Sequence, residues 1–276
     1  MSLEEKKRLR QQDSLALKIA VMPTLDCLPL YLAKEERLFD TLGVDVRLRL
    51  FNAQMDCDTA IIGGSVEGLV SDLIRTENIK RKGISLDYVS STNAYWQLIA
   101  NKKARVHKIS QLGDKMIAMA RYSVTDYLTR KVLSEVKMPA EAFSIQVNDV
   151  NIRLSMLVNN EMDAMWLTEP QAAAARELGN PVLYDSKDTR NNFGVIAFRS
   201  NLVEDKRRKQ QLEAFAKAYN MACDSLNKNG LPHYSRLVVK YCNVKERVAK
   251  ALPKLTFSHI KHPLQKDIDL AKRQAQ

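Results

Sequence analysis

The chain has 276 residues, 45% of them apolar and 27% charged, with a net charge of +11. This composition suits one large core or two of ordinary size and excludes a disordered or fibrous polymer. Apolar runs such as 195–198 and 237–239 fall far short of the roughly 20 residues that a membrane-crossing helix needs.

In chain order, residues 1–13 are polar and expected to be a mobile segment. Residues 17–21 read as a short buried strand that stops before Pro23. Residues 28–39 have helical periodicity, with Asp26 near their start as a cap. Residues 44–50 alternate apolar and charged side chains as a strand does, and 55–62 return to helix. This βαβα order is the signature of a parallel sheet covered by helices. Residues 84–89 and 95–100 are two further strands, followed by the basic connection 102–105, where the chain is expected to cross into a second lobe.

There a strand at 116–119, a loop at 120–123, a helix from 124 to about 136, a strand at 143–147 and a helix at 152–157 repeat the alternation. An alanine-rich helix follows Pro170 and ends with Gly179 in the C-cap place. After a strand at 182–184, residues 186–192 are the expected return crossing, 194–199 rejoin the first lobe, and the remainder is mainly helical. The expected fold is α/β in two lobes, each a mostly parallel sheet flanked by helices. The first lobe takes 14–101 plus 194–276 and the second 102–193, with a ligand cleft between them.

One unit occurs twice, at 60–72 and at 154–170. Each copy is a helix end, a turn, an acidic residue (Glu67, Asp163), then a short buried strand running out into polar groups. The two acidic residues lie 96 positions apart (163 − 67), which fits two similar lobes facing one another.

The basic excess invites nucleic acid or a membrane surface as a partner. Yet Lys and Arg are dispersed, and the clusters Lys206-Arg207-Arg208-Lys209 and Lys6-Lys7-Arg8 with Arg10 read as solvated faces. No zinc-ligand spacing, RNA-binding aromatic signature or helix-turn-helix accompanies them, so nucleic acid is not expected. Cys27, Cys57, Cys223 and Cys242 form no C-x-x-C pair, so no metal or other cofactor is expected. They read as small buried hydrophobes, with Cys27–Cys57 or Cys223–Cys242 disulfides left open. His107, His233, His259 and His262 lie in loops or the C-terminal region, outside any hydrolase or zincin motif.

Three separated segments, 22–39 (MPTLDCLPLYLAKEERLF), 108–118 (KISQLGDKMIA) and 160–170 (NEMDAMWLTEP), resemble in order the solute-binding proteins of ABC importers of the nitrate, sulfonate, taurine and thiamine-pyrimidine class. The resemblance spans roughly 17–200. It departs at Asn160, where members commonly have glycine, and at Glu67, where aspartate is usual. It implies the periplasmic-binding-protein-like fold and a small-molecule site between the lobes, and the rule that ligands sit beyond the carboxyl ends of strands points to the same place. The expected ligand residues are Thr24 and Asp26, Ser71 and Asp72, Ser91 and Asn93, Arg121, Tyr122 and Ser123, Trp166, Glu169 and Asn192. Arg121 with Tyr122 and Ser123 would hold a carboxylate, sulfonate or phosphate, Glu169 an amine or hydroxyl, and Trp166 or Tyr122 a planar ring. Trp96 reads as core.

The resemblance implies a monomeric receptor that closes on a small polar, anionic or zwitterionic solute and hands it to a permease and its ATPase. It would work in the periplasm or as a lipid-anchored protein outside the cytoplasmic membrane. Residues 1–13 lack the apolar stretch of an export signal, and Met1-Ser2-Leu3 resembles an expression leader, consistent with a removed signal. An enzyme of the same fold, of the pyrimidine or menaquinone pathway type, and the effector module of a regulator are the competing readings.

Overall fold

A computed structural model describes residues 1–276. The chain begins with helix α1 (Leu3–Leu15), capped by the Ser2 hydroxyl, which accepts from Glu5 N–H at 3.1 Å. The N-terminal segment expected to be mobile is therefore helical. None of its helical residues is buried; it is tied down at its end, where Asp13 pairs with Arg47 at 2.9 Å and Arg49 at 2.5 Å.

The first lobe continues with β1 (Leu17–Val21), α2 (Leu28–Glu35), α3 (Leu38–Thr41), β2 (Val46–Leu50), α4 (Gln54–Ile62), β3 (Gly68–Asp72), α5 (Leu73–Arg81) and β4 (Leu86–Ser91). The second lobe holds β5 (Gln97–Ala100), β6 (Met116–Met119), α6 (Val124–Ser134), β7 (Phe143–Gln146), α7 (Val150–Val158), β8 (Ala164–Leu167), α8 (Gln171–Glu177) and β9 (Val182–Asp185). The chain then returns through β10 (Gly194–Arg199) and closes with α9 (Lys206–Asn229), α10 (Ser235–Cys242), α11 (Glu246–Lys250) and α12 (Gln265–Gln274). No helix is long and apolar enough to cross a membrane.

Two five-stranded sheets result, ordered β2-β1-β3-β10-β4 and β7-β6-β8-β5-β9. In each, β10 or β5 runs antiparallel to both neighbours and the other strands run parallel. The central strands β1, β3 and β8 are buried along their whole length, as expected of strands covered on both faces, whereas β2 reads V-R-L-R-L on an edge and is half-exposed.

Two expectations are corrected. Residues 97–100 pair with β8 and β9, so the chain crosses between lobes at 92–96 and not at 102–105. A strand of four residues, three of them apolar, gives no hint of which sheet it joins. The helix expected over 28–39 breaks where Arg37 turns left-handed (φ 57°), a bend that delivers Phe39 onto Phe215 of α9 with ring centroids 6.1 Å apart. The return crossing, 186–193, runs beside the first: Thr92 N–H donates to Gly194 O at 3.0 Å and Trp96 N–H to the Ser186 hydroxyl at 2.9 Å. Gly194 has no room for a side chain there, since a Cβ would collide with Thr92 and Ala94.

The repeated unit occupies equivalent places, with Glu67 opening β3 and Asp163 preceding β8. Glu67 Oε2 accepts the Lys18 N–H of β1 at 2.6 Å, and Asp163 Oδ2 accepts the Met116 N–H of β6 at 2.8 Å. Each carboxylate fixes the start of the neighbouring parallel strand, at the end of the sheet away from the cleft. Asn160, standing where glycine is common, adopts the left-handed conformation (φ 59°) that asparagine tolerates.

All four cysteines are buried and free, without either disulfide. The C-terminal residues also acquire a role, because 253–264 run as a strap along the first crossing. Asn93 Nδ2 donates to Thr256 O at 3.0 Å and Ser91 N–H to Lys261 O at 2.7 Å. The α12 carboxylate of Asp267 then accepts the Asn192 N–H of the second crossing at 3.3 Å.

Glu67 is nearly enclosed and also pairs with Lys18 at 3.3 Å and Arg208 at 3.4 Å, whereas Met116 is 39% exposed. Glu67→Ala, which leaves the buried Lys18 ammonium only Asp13, with its carbonyl at 2.7 Å and its carboxylate at 4.0 Å, and removes the acceptor of Lys18 N–H, should therefore lower stability by about 3 kcal/mol, and Asp163→Ala by only about 1 kcal/mol. Urea denaturation of the two variants checks this, and equal losses would contradict the difference in burial.

Candidate functional site

The carboxyl ends of the parallel strands in the two sheets meet at a partly enclosed cleft of about 590 Å³, a volume that includes space open to solvent. The first lobe contributes Thr24 and Asp26 after β1, Ser71 and Asp72 at the end of β3, and Arg75 one turn into α5. The second contributes Ser123 and Thr125 at the start of α6, Arg153 of α7 and Thr168 after β8, while Trp96 arrives on the first crossing. The lobes are closed on one another. Leu25 N–H donates to Glu169 O at 2.9 Å, Gln171 Nε2 to Pro23 O at 2.7 Å, Val150 N–H to Asn52 O at 3.0 Å and Asn78 Nδ2 to Tyr122 O at 3.2 Å.

Three buried polar atoms on this cavity have no hydrogen-bond partner: Ser71 Oγ, Arg75 Nε and Arg153 Nε. Arg75 uses Nη1 on Asp58 at 2.5 Å. Arg153, 8% exposed, has no ion-pair partner, and burial together with the nearby Arg75 charge lowers its pKa to about 10 against the weaker pull of Asp149. Unmatched buried donors and a buried cation without a counter-ion are costly unless something fills the site. On the same cavity Asp26 accepts the Thr24 hydroxyl at 2.5 Å, faces no cation, and is pushed up by burial. Asp26 lies in a 3₁₀ turn, not at a helix cap as expected; α2 starts from Cys27 without a side-chain cap.

Asp72 serves both lobes. Its Oδ1 caps α5 by accepting Arg75 N–H at 2.9 Å and also accepts Val124 N–H of α6 at 3.2 Å. Burial raises its pKa to about 6, outweighing Arg75 and these two donors.

Of the expected ligand residues, Thr24, Asp26, Ser71, Asp72 and Ser123 line the cavity. The others do not. Ser91, Asn93 and Asn192 hold the C-terminal segment and the crossings together, as described above. Glu169 is 2% exposed and fully engaged: Oε1 accepts the Tyr95 hydroxyl and the Arg176 guanidinium, each at 2.7 Å, and Oε2 accepts Ala173 N–H at 3.0 Å. Trp166 is wholly buried, donates to Thr129 at 2.8 Å and meets Tyr184 edge-on, so neither its ring face nor its N–H is free for a ligand.

Arg121 and Tyr122 are exposed and face an outer groove. The anion-binding arrangement expected at 121–123 is already satisfied internally: Tyr122 N–H goes to Asp126, Val124 N–H to Asp72 and Thr125 N–H to Ser123. Trp96, expected in the core, lines the cavity instead.

Arg75 was missed because it sits within a helix among other charges, and Arg153 because a lone arginine within a helix belongs to no recognisable motif. A signal existed for Arg153: Val150, Arg153 and Leu157 share the buried face of α7 at helical spacing, which puts a guanidinium where an apolar side chain belongs.

The raised Asp72 pKa has a definite sign. The native state holds this proton more tightly than the unfolded chain, so its stabilising contribution is full below 3.8 and is lost as pH rises through about 6, a span of about 3 kcal/mol. Asp72→Asn keeps an acceptor for both N–H groups and should flatten the fall in stability between pH 4 and pH 6 by roughly that amount. Urea midpoints measured across this range test it, and parallel curves for variant and wild type would refute it.

Residues 24–229 match the profile of the NMT1/THI5-like family. No curated protein sequence matches the chain. Among solved structures, a protein of Bordetella bronchiseptica RB50 superposes with a TM-score of 0.78 at 18% identity, covering 96% of this chain and 90% of that one. The alkanesulfonate-binding protein SsuA of Xanthomonas axonopodis pv. citri, bound to MOPS, gives 0.76 at 17% identity over 94% and 90%. The periplasmic nitrate-binding protein NrtA of Synechocystis PCC 6803 gives 0.72 at 14% identity over 84% and 68%. These likenesses establish the two-lobed fold, and with the family profile matching three quarters of its length, the chain belongs to the NMT1/THI5-like family.

Proposed function

We propose that this protein is the solute-binding component of an ABC importer, working outside the cytoplasmic membrane, where it captures a small organic anion between its lobes and presents it to a permease. The observation that carries this reading is the pair Arg75 and Arg153, buried on opposite lobes, each with an unpartnered nitrogen on one cavity. An acidic group placed between them would accept from both guanidinium groups and from the Ser71 hydroxyl, and so join the lobes through charge-assisted hydrogen bonds. Asp26 and Asp72, on the first-lobe side of the same cavity, offer acceptors for a donor elsewhere on the ligand.

A binding role suits the chemistry of the lining better than catalysis does. No histidine, cysteine or lysine lines the cavity; its carboxyl groups are Asp26, which accepts the Thr24 hydroxyl, and Asp72, whose Oδ1 is taken up by two backbone N–H groups. The solute-binding neighbours support the same reading by analogy of fold.

Calorimetric titration with short-chain sulfonates, carboxylates and phosphate tests the proposal. At least one should bind, and Arg153→Gln should weaken it about ten- to hundredfold, as expected for loss of a charge-assisted contact. Small-angle scattering should show the free protein more open than the bound one. If none of these anions binds, or if Arg153→Gln leaves their affinity unchanged, the assignment of an anion to this cavity fails. Without ligand, Arg153→Met should make the free protein more compact in the same scattering measurement, because the unpaired charge that penalises empty closure is removed.

A further inference from the structure

Carboxyl groups outnumber cations around the cavity. Arg75 and Arg153 share its lining with Asp26 and Asp72, and Asp58 takes one nitrogen of Arg75 at 2.5 Å. Asp149, which also acts on Arg153, caps α7 through the N–H groups of Asn151 and Ile152. An anion that enters to pair with Arg153 therefore meets negative charge already in place, in a space where like charges repel strongly.

Asp72 is the carboxyl group built into the anion site itself. It directly follows Ser71 and accepts the N–H of Arg75 at 2.9 Å, so a group held by the Ser71 hydroxyl and the Arg75 guanidinium is brought to the residue between them. Its Oδ1 is taken up by the Arg75 and Val124 N–H groups, while Oδ2 accepts nothing from the protein. The charges acting on it are few. Arg75 of α5 pulls its pKa down and Asp58 of α4 pushes it up, while Arg153 of α7 and Asp26 after β1 share the cavity with it. Tyr88 of β4 is joined to it only through Thr76, Gly194 stands opposite on β10, and Asp126 of α6 is engaged by Tyr122 N–H and Arg130. Burial already pushes Asp72 up to about 6, and a second negative charge competing for Arg75 raises it further.

We propose that the cavity takes up its anion together with one proton from solvent, and that Asp72 is the group that holds this proton. The inference rests on the anion-binding reading and deepens it, because the ionised carboxylate repels an anion that the protonated one admits. Protonated Asp72 keeps its Oδ1 for both helices and gains, at Oδ2, a donor for an oxygen of the ligand.

Calorimetric titration of ethanesulfonate, propanoate and phosphate at pH 7, in buffers of different ionisation enthalpy, counts the proton. A probe that binds should carry roughly half a proton or more into the complex, and its affinity should fall about tenfold between pH 6 and pH 8. Asp72→Asn keeps an acceptor for both N–H groups but has no proton to gain. It should bind without the uptake and without the fall, whereas Asp26→Asn should retain both. Phosphate titrates on its own account, so for this probe the difference between wild type and Asp72→Asn is the readout. The carbon-13 NMR signal of the wild-type Asp72 carboxyl, moving toward its protonated position as the probe is added, gives the same answer without a substitution.

Binding without proton uptake, uptake that persists in Asp72→Asn, or an Asp72 signal that stays in place overturns the proposal. If binding still depends on Arg153 in that case, the anion reading stands alone. Binding of no probe overturns both.

Discussion

Neither sheet of this protein is complete without a strand that enters it from the other lobe. The chain leaves the first lobe after β4, and its next strand, β5, inserts antiparallel between β8 and β9; on its return β10 inserts between β3 and β4. Hydrogen bonding of ten strands is thus conditional on both crossings. The lobes are joined through their sheet interiors by two adjacent stretches of chain, and that constraint allows them to turn about a common line but not to part. The cleft is the space this turning opens and shuts, and the strand ends facing it are where the sheets run out of partners and begin to offer polar groups.

Closure is governed by what the cleft contains. With the lobes together, Arg153 lies beside Arg75 in a low-dielectric space and without a counter-ion, and the Asp26 and Asp72 carboxyl groups are pushed toward their neutral forms. Both effects penalise the empty closed arrangement. The interlobe hydrogen bonds at Leu25, Gln171, Val150 and Asn78 favour it. A ligand that supplies the missing negative charge shifts this balance, and only by its differential affinity for the closed form.

Much of the fold was legible because its signals are local. Alternation of short apolar strands with amphipathic helices implied two parallel sheets, and the repeated acidic unit located β3 and β8. The first crossing was misplaced because β5, at four residues, carries no mark of its partners; register depends on residues such as Met165 and Val182, far away in sequence. In the site, the rule about strand ends found Thr24, Asp26, Ser71, Asp72 and Ser123, since it needs only the strands. It overreached at Glu169 and Trp166, whose polar atoms are consumed by Tyr95, Arg176 and Thr129. Whether a polar side chain at a strand end is free or already engaged is a property of the packing, and no spacing encodes it.

The C-terminal strap ties together the two connections on which both sheets depend. It grips the first crossing at Ser91 and Asn93 and the second at Asn192, so any bending of the two connections is transmitted to bonds with Lys261, Thr256 and Asp267. The strap therefore ties the two crossings to one another through residues outside both sheets, and any turning of the lobes, a motion of the microsecond-to-millisecond class, has to carry these bonds with it or break them.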